Sequence, residues 1–109
     1  MADEITLQEL MNRMPRAFKP EMAAGLSAVI QYRLTGAEAG DWIIDIHDGV
    51  VEVKPGVHPS PKVTLTADSQ DYKDVVLGKS NAMQAFMQGK LKLSGDLSLA
   101  MKLPNMFKM

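Results

Sequence analysis

The chain has 109 residues with nearly balanced charge, 12 Lys and Arg against 13 Asp and Glu, and 46% of it is hydrophobic. That length supports one core without covalent staples, and residues 1–109 read as one domain. The balance argues against a partner held by bulk positive charge, so no nucleic acid is expected. With no cysteine there is neither a disulfide framework nor thiol chemistry.

The N-terminus carries Asp3 and Glu4 rather than a basic segment ahead of an apolar run, unlike a secretory signal. Thr6-Leu7-Gln8-Glu9 has the capping-box form, with a hydroxyl at the cap and a carboxylate three residues on. Leu7, Leu10, Met11, Met14 and Phe18 follow at helical spacing, and Pro15 is expected to bend or end that helix. Pro20 to Ala24 reads as a short helical turn stopped by Gly25.

From Leu26 the period changes to two. Ala28, Ile30, Tyr32 and Leu34 share one side of a strand, and Ser27, Val29, Gln31, Arg33 and Thr35 the other. Gly36 to Gly40 reads as a loop. Trp42, Ile44 and Ile46 then alternate with Asp41, Asp45 and His47, and Asp48-Gly49 marks a tight turn before Val51 and Val53. Pro59 and Pro61 stiffen the next connection, and Lys62 to Ala67 forms a fourth strand with Val63 and Leu65 inward.

Asp68 or Ser69 caps a helix in which Tyr72, Val75 and Val76 share a face, with Gly78 at its end. Lys79 to Asn81 link it to a helix over Ala82 to Gln88, whose Met83, Phe86 and Met87 fall on one face. Lys90 to Ser94 alternates as a fifth strand, and Asp96 caps a final helix. In that helix only Ser98, Lys102 and Asn105 are polar, a stripe roughly 60° wide, so it needs cover on more than one side. Pro104 is expected to end or kink it, leaving Met106 and Phe107 to pack separately.

These elements define an α+β protein: a five-stranded, mostly antiparallel sheet covered by four to five helices. One sheet face is alternately polar and suits water. The other face, the last helix and the Met- and Phe-bearing helical faces hold more apolar surface than one layer contact needs. An internal apolar tunnel for a ligand accounts for the surplus, and so does a dimer interface. Nine methionines fit either adaptable contact with varied apolar partners or gap-filling in a small core.

Little in the chain suggests catalysis. Asp45 and His47 share the polar side of one strand, an arrangement that reads as a solvated face before it reads as a base or a metal ligand pair. His58 sits in a proline-rich loop, and no second histidine stands at ligand spacing, so neither metal nor cofactor is expected. No nucleophile elbow or phosphate loop is present. Lys79, Lys90, Lys92, Lys102 and Lys108 load the C-terminal third with positive charge, which suits a solvated face or contact with an anionic bilayer.

Gly78-Lys79, Ala82 to Leu93, Gly95-Asp96 and Leu99 to Leu103 resemble the C-terminal signature of the sterol carrier protein type two family. Pro20 to Leu26, Arg33 to Gly36, Trp42 to Ile46 and Asp48-Gly49 resemble it more loosely, so the likeness spans nearly the whole chain. The resemblance implies a small α+β domain enclosing an apolar tunnel. It also implies non-enzymatic carriage of fatty acid, fatty acyl-CoA, phospholipid or sterol, with transient membrane contact. By their facing, the expected tunnel residues are Ile44 and Ile46 as floor and Val76, Met83, Phe86, Met87, Leu99, Leu103, Met106 and Phe107 as walls. Pro104 and the final Phe107-Lys108-Met109, unlike a peroxisomal address, depart from the family pattern. Both suit a free-standing cytoplasmic protein, monomer or homodimer. The alternative is an interaction module that buries its last helix in a partner.

Overall fold

Alternating apolar residues in five short runs produce the five strands of a single sheet in a computed structural model of the protein, which describes residues 5–23 and 25–106. Of residue 82 and residues 103–106 only the backbone is described. The strands are β1 (Ala28–Thr35), β2 (Gly40–His47), β3 (Val50–Pro55), β4 (Val63–Asp68) and β5 (Leu91–Gly95). Among the described residues four α-helices accompany them: α1 (Leu7–Ala17), α2 (Ser69–Val76), α3 (Ala82–Met87) and α4 (Leu97–Met106). Single 3-10 turns lie at Pro20–Ala23 and Gly36–Glu38.

The sheet order is β3-β2-β1-β4-β5, with β1 and β4 parallel and every other pair antiparallel. Asp48 and Gly49 both take positive φ in the β2–β3 turn, the left-handed geometry that a two-residue hairpin requires. The parallel pair forces the β3–β4 connection to cross the sheet. Its backbone is pinned to the strands it passes: Gly56 N donates to Asp41 O at 2.9 Å, and Lys62 N to Val29 O at 2.8 Å.

That crossing alters the expected two-faced sheet. Gln31 and Ile43 alternate with the core residues, so their side chains belong to the polar face, yet both are buried. The Gln31 amide donates to the carbonyls of Trp42 (3.1 Å) and Gly56 (2.9 Å), and its Oε1 accepts from His58 N at 2.7 Å. One buried amide thus satisfies a loop that would otherwise carry unpaired backbone groups across the sheet.

On the other face, Ile30, Tyr32, Leu34, Ile44, Ile46, Val63 and Leu65 form the core with Leu7, Met11 and Met14 of α1. Thr6 closes its capping box as read: Glu9 N donates to the Thr6 hydroxyl, and Thr6 N to the Glu9 carboxylate. The Thr6 backbone amide foremost, and the Thr6 hydroxyl, which also donates to Glu9 Oε1 at 3.0 Å, hold the Glu9 carboxyl below the usual carboxylate range.

Neither of two prolines ends its helix at once. Helix α1 continues through Pro15 to Ala17, and α4 runs through Pro104 to Met106, the last described residue. In α1 the proline stands near the C-terminus, and the buried face of Leu7, Leu10, Met11 and Met14 offsets the hydrogen bond it cannot make. The expected loop after Gly36 is a 3-10 turn that carries Glu38 into a partly buried ion pair with Lys73 of α2. Glu38 also accepts from Leu7 N at 2.7 Å, and its own amide donates to Ser69 Oγ at 3.1 Å. One short turn therefore joins α1, α2 and the sheet.

Candidate functional site

The apolar residues singled out for a tunnel fall into three structural groups. Ile44 and Ile46 lie at the centre of the core, wholly buried, with Val76 partly buried on the helical side and Leu99 buried on α4. Met83, Phe86 and Met87 point outward, 47%, 41% and 77% exposed. Leu103 and Met106 belong to α4, their side chains outside the description, and Phe107 lies outside the described residues.

The outward face of α3 has a local cause. Asn81 caps the helix, its Oδ1 accepting from Met83 N (2.9 Å) and Gln84 N (3.1 Å), and Gly89 turns the chain with φ +79°. Six residues are under two turns, so one narrow stripe meets the protein, and Ala85 occupies it. Ala85 is the one described side chain of α3 that is buried. Helix α3 packs on α2 and on the edge strand β5, which α4 also contacts. In α4, Asp96 Oδ1 accepts from Leu99 N at 3.1 Å. Leu99 and Ala100 face inward, while Leu97 and Met101 remain exposed.

Tyr32 of β1 and Tyr72 of α2 bring two phenols into the core. Tyr32 and Tyr72 meet edge to face with ring centroids 5.1 Å apart. Burial raises the pKa of both phenols, Tyr72 well above its ordinary value, with Tyr32 adding to the shift.

Two open hollows mark the described surface. One of about 310 Å³ is lined by Leu7, Gln8, Glu38, Asp41, Trp42 and Pro55. The other, about 270 Å³, lies beside α3 between Lys79, Ser80, Asn81, Gln84, Gln88 and Lys90. On the outer sheet face, Glu52 stands across from Asp45 and joins His47, their ligand atoms all within 4.8 Å. Cross-strand register supplies the third member, which spacing along β2 alone does not reveal. All three are partly or fully exposed, with no buried partner among the described residues to orient the imidazole, and the group lies away from the apolar face.

Comparison with known proteins places this architecture. The SCP-2 sterol transfer family matches residues 7–108, and the chain belongs to that family, whose activity is lipid and sterol binding and transfer. Hydroxysteroid dehydrogenase-like protein 2 of Xenopus laevis is 36% identical over 103 residues, which cover 93% of this chain and 24% of that protein. The chain thus spans about a quarter of the length of that curated relative. A solution structure of palmitated sterol carrier protein 2-like 2 from Aedes aegypti superposes with TM-score 0.74 at 30% identity, over 93% of each chain. The inverting sec-alkylsulfatase Pisa1 of Pseudomonas sp. superposes with TM-score 0.84 at 17% identity, covering 96% of this chain and 17% of that one, a likeness of fold alone.

Proposed function

We propose that this chain binds a single long-chain lipid and carries it without catalysing a reaction on it. Fatty acid, fatty acyl-CoA, phospholipid and sterol-like molecules are the candidate ligand classes. The observation that carries this reading is α3, which Ala85 holds in place while Met83, Phe86 and Met87 face out. A helix kept only for the fold has no use for three large apolar side chains on that side. The palmitated state of the Aedes relative supports an acyl chain as ligand.

The acyl chain lies between the sheet and the helices α3 and α4. Ile44 and Ile46 form the floor and Val76, Leu99, Leu103, Met106 and Phe107 the walls, and Met83, Phe86 and Met87, which face outward here, join them once α3 turns as the two helices part. Each CH₂ leaving water contributes roughly 0.8 kcal/mol, so a long chain offsets its ordering costs and leaves micromolar or tighter binding. Methionine lining implies selection by chain shape rather than by headgroup. Among the described residues no helix is long and apolar enough to cross a membrane. We place the carrier in the cytoplasm, meeting membranes only transiently.

A second reading follows from the lengths of the relatives: the domain is the lipid-presenting part of a larger enzyme, seated against a catalytic partner. Native mass spectrometry of freshly purified protein, followed by organic extraction, tests the first reading. The expected result is one fatty acid or phospholipid per chain. An empty protein that also rejects a fluorescent acyl probe overturns it. Phe86→Asp is expected to abolish probe uptake and Asp45→Ala to leave it intact; equal effects overturn the assignment of walls.

A further inference from the structure

We infer that Met83 and Met87 are oxidation sites through which a peroxide shuts the carrier while it is empty. The inference rests on the carrier reading and names a means of controlling the same region. The chain has nine methionines and no cysteine, so thioethers are its only sulfur and no thiol of its own can intercept the oxidant.

Burial sorts the described thioethers into two sets. Met11 and Met14 of α1 are enclosed, whereas Met22, Met83, Met87 and Met101 are between 47% and 77% exposed, Met87 the most. With hydrogen peroxide the sulfur lone pair attacks one oxygen, and the S–O bond forms as the O–O bond breaks. The proton on the transferred oxygen passes to the departing hydroxide, which leaves as water. Sulfur loses two electrons and the peroxide gains them.

The consequence depends on where each side chain must go. Met83 and Met87 stand four positions apart on a helix in which Ala85 is the one described side chain that is buried, so little holds that face outward. To meet a lipid they turn toward Ile44, Ile46, Val76 and Leu99, none of which carries a hydrogen-bond donor on its side chain. A sulfoxide oxygen is a strong acceptor, and burying it there without a partner weakens loading by about tenfold. Met22 and Met101 gain the same oxygen but lie outside the walls, so their oxidation leaves loading alone. A bound lipid favours the inward state and draws Met83 and Met87 out of solvent. The loaded carrier therefore resists the oxidant, and the empty one is shut.

Peptide-resolved mass spectrometry after mild hydrogen peroxide, run beside fluorescent acyl probe uptake and urea unfolding, tests the inference. Met22, Met83, Met87 and Met101 are expected to gain oxygen while Met11 and Met14 stay reduced. Uptake is expected to fall about tenfold or more with the unfolding midpoint unmoved. Palmitate added first is expected to protect Met83 and Met87 and not Met22. Sulfoxide reductases for both epimers, which oxidise a dithiol to a disulfide and release water, are expected to restore uptake. In Met83→Leu with Met87→Leu, uptake after peroxide is expected to equal uptake before it, whatever the starting level. Met22→Leu with Met101→Leu is expected to keep the full sensitivity.

Uptake that survives oxidation of Met83 and Met87 overturns the inference and leaves the carrier standing. So does a loss of uptake that the α3 double variant shares in full, or one accompanied by a lowered unfolding midpoint. Equal oxidation of Met83 and Met87 with and without palmitate overturns it as well. A protein that takes up no probe before peroxide rejects the carrier and the control together.

Discussion

Helices α1 and α3 are both capped, both amphipathic and both rich in methionine, yet they meet opposite fates. In α1, Met11 and Met14 are sealed beneath the sheet at 1% and 3% exposure, beside Leu7 and Leu10. In α3, Met83 and Met87 lie on the surface, and Ala85 alone of its described side chains is buried. Eleven residues give α1 three turns and a stripe long enough to lie on the sheet face near β3. Six residues give α3 less than two turns, attached at the edge strand β5. Residue type and periodicity do not separate core from contact surface; the extent of the layer beneath the helix does.

The contrast is open to direct attack. Met11→Ala removes a fully enclosed side chain and is expected to cost about 3 kcal/mol, within the range for large-to-small core substitutions, read from urea unfolding. A loss under about 1 kcal/mol would mean the α1 side is not the closed half.

Gly95→Ala probes whether the α3 side is weak throughout. Gly95 has φ +97°, and a methyl there would overlap the Lys62 carbonyl oxygen where β5 pairs with β4. About 2 kcal/mol or more is expected, comparable to a core truncation, because the strand under the exposed helices is itself tightly built.

The tyrosine pair sharpens the contrast through pH. The folded pKa of each phenol is raised by burial, so folding favours the protonated form. That contribution is full below the unfolded value of about 10 and is lost as pH rises through the folded values. Absorbance near 295 nm, to which only Tyr32 and Tyr72 contribute among the tyrosines, is therefore expected to rise together with unfolding above about pH 10. Ionisation in a still folded protein would show that water reaches the core. The smallest effect belongs to Met87→Ser, expected within about 0.5 kcal/mol of wild type, with its consequence confined to lipid contact.

Much of the chain was legible from local chemistry. The Thr6–Glu9 box, the Asp48-Gly49 turn, a cap at Asp68 or Ser69 and all five strands follow from short-range rules, because each depends on residues a few positions apart, and the structure puts the cap at Asp68. The candidate site was legible in composition and not in facing. Spacing put Met83, Phe86 and Met87 on one side of a helix, and the register of that helix on the sheet edge turned the side outward. Glu38, Lys73, Gln31 and Glu52 escaped because their partners lie 35, 35, 27 and several residues away, or across a strand pair.

The sequence by itself determined the elements, their caps, the α+β class and the surplus of apolar surface, since local sterics and periodicity act without knowledge of the whole. Tertiary structure alone decided that β1 and β4 run parallel and that a loop crosses the polar face and buries Gln31 and Ile43. It also decided that Met11 is core while Met87 is surface. Those outcomes depend on which layer lies against which, and burial is a property of the neighbour as much as of the residue.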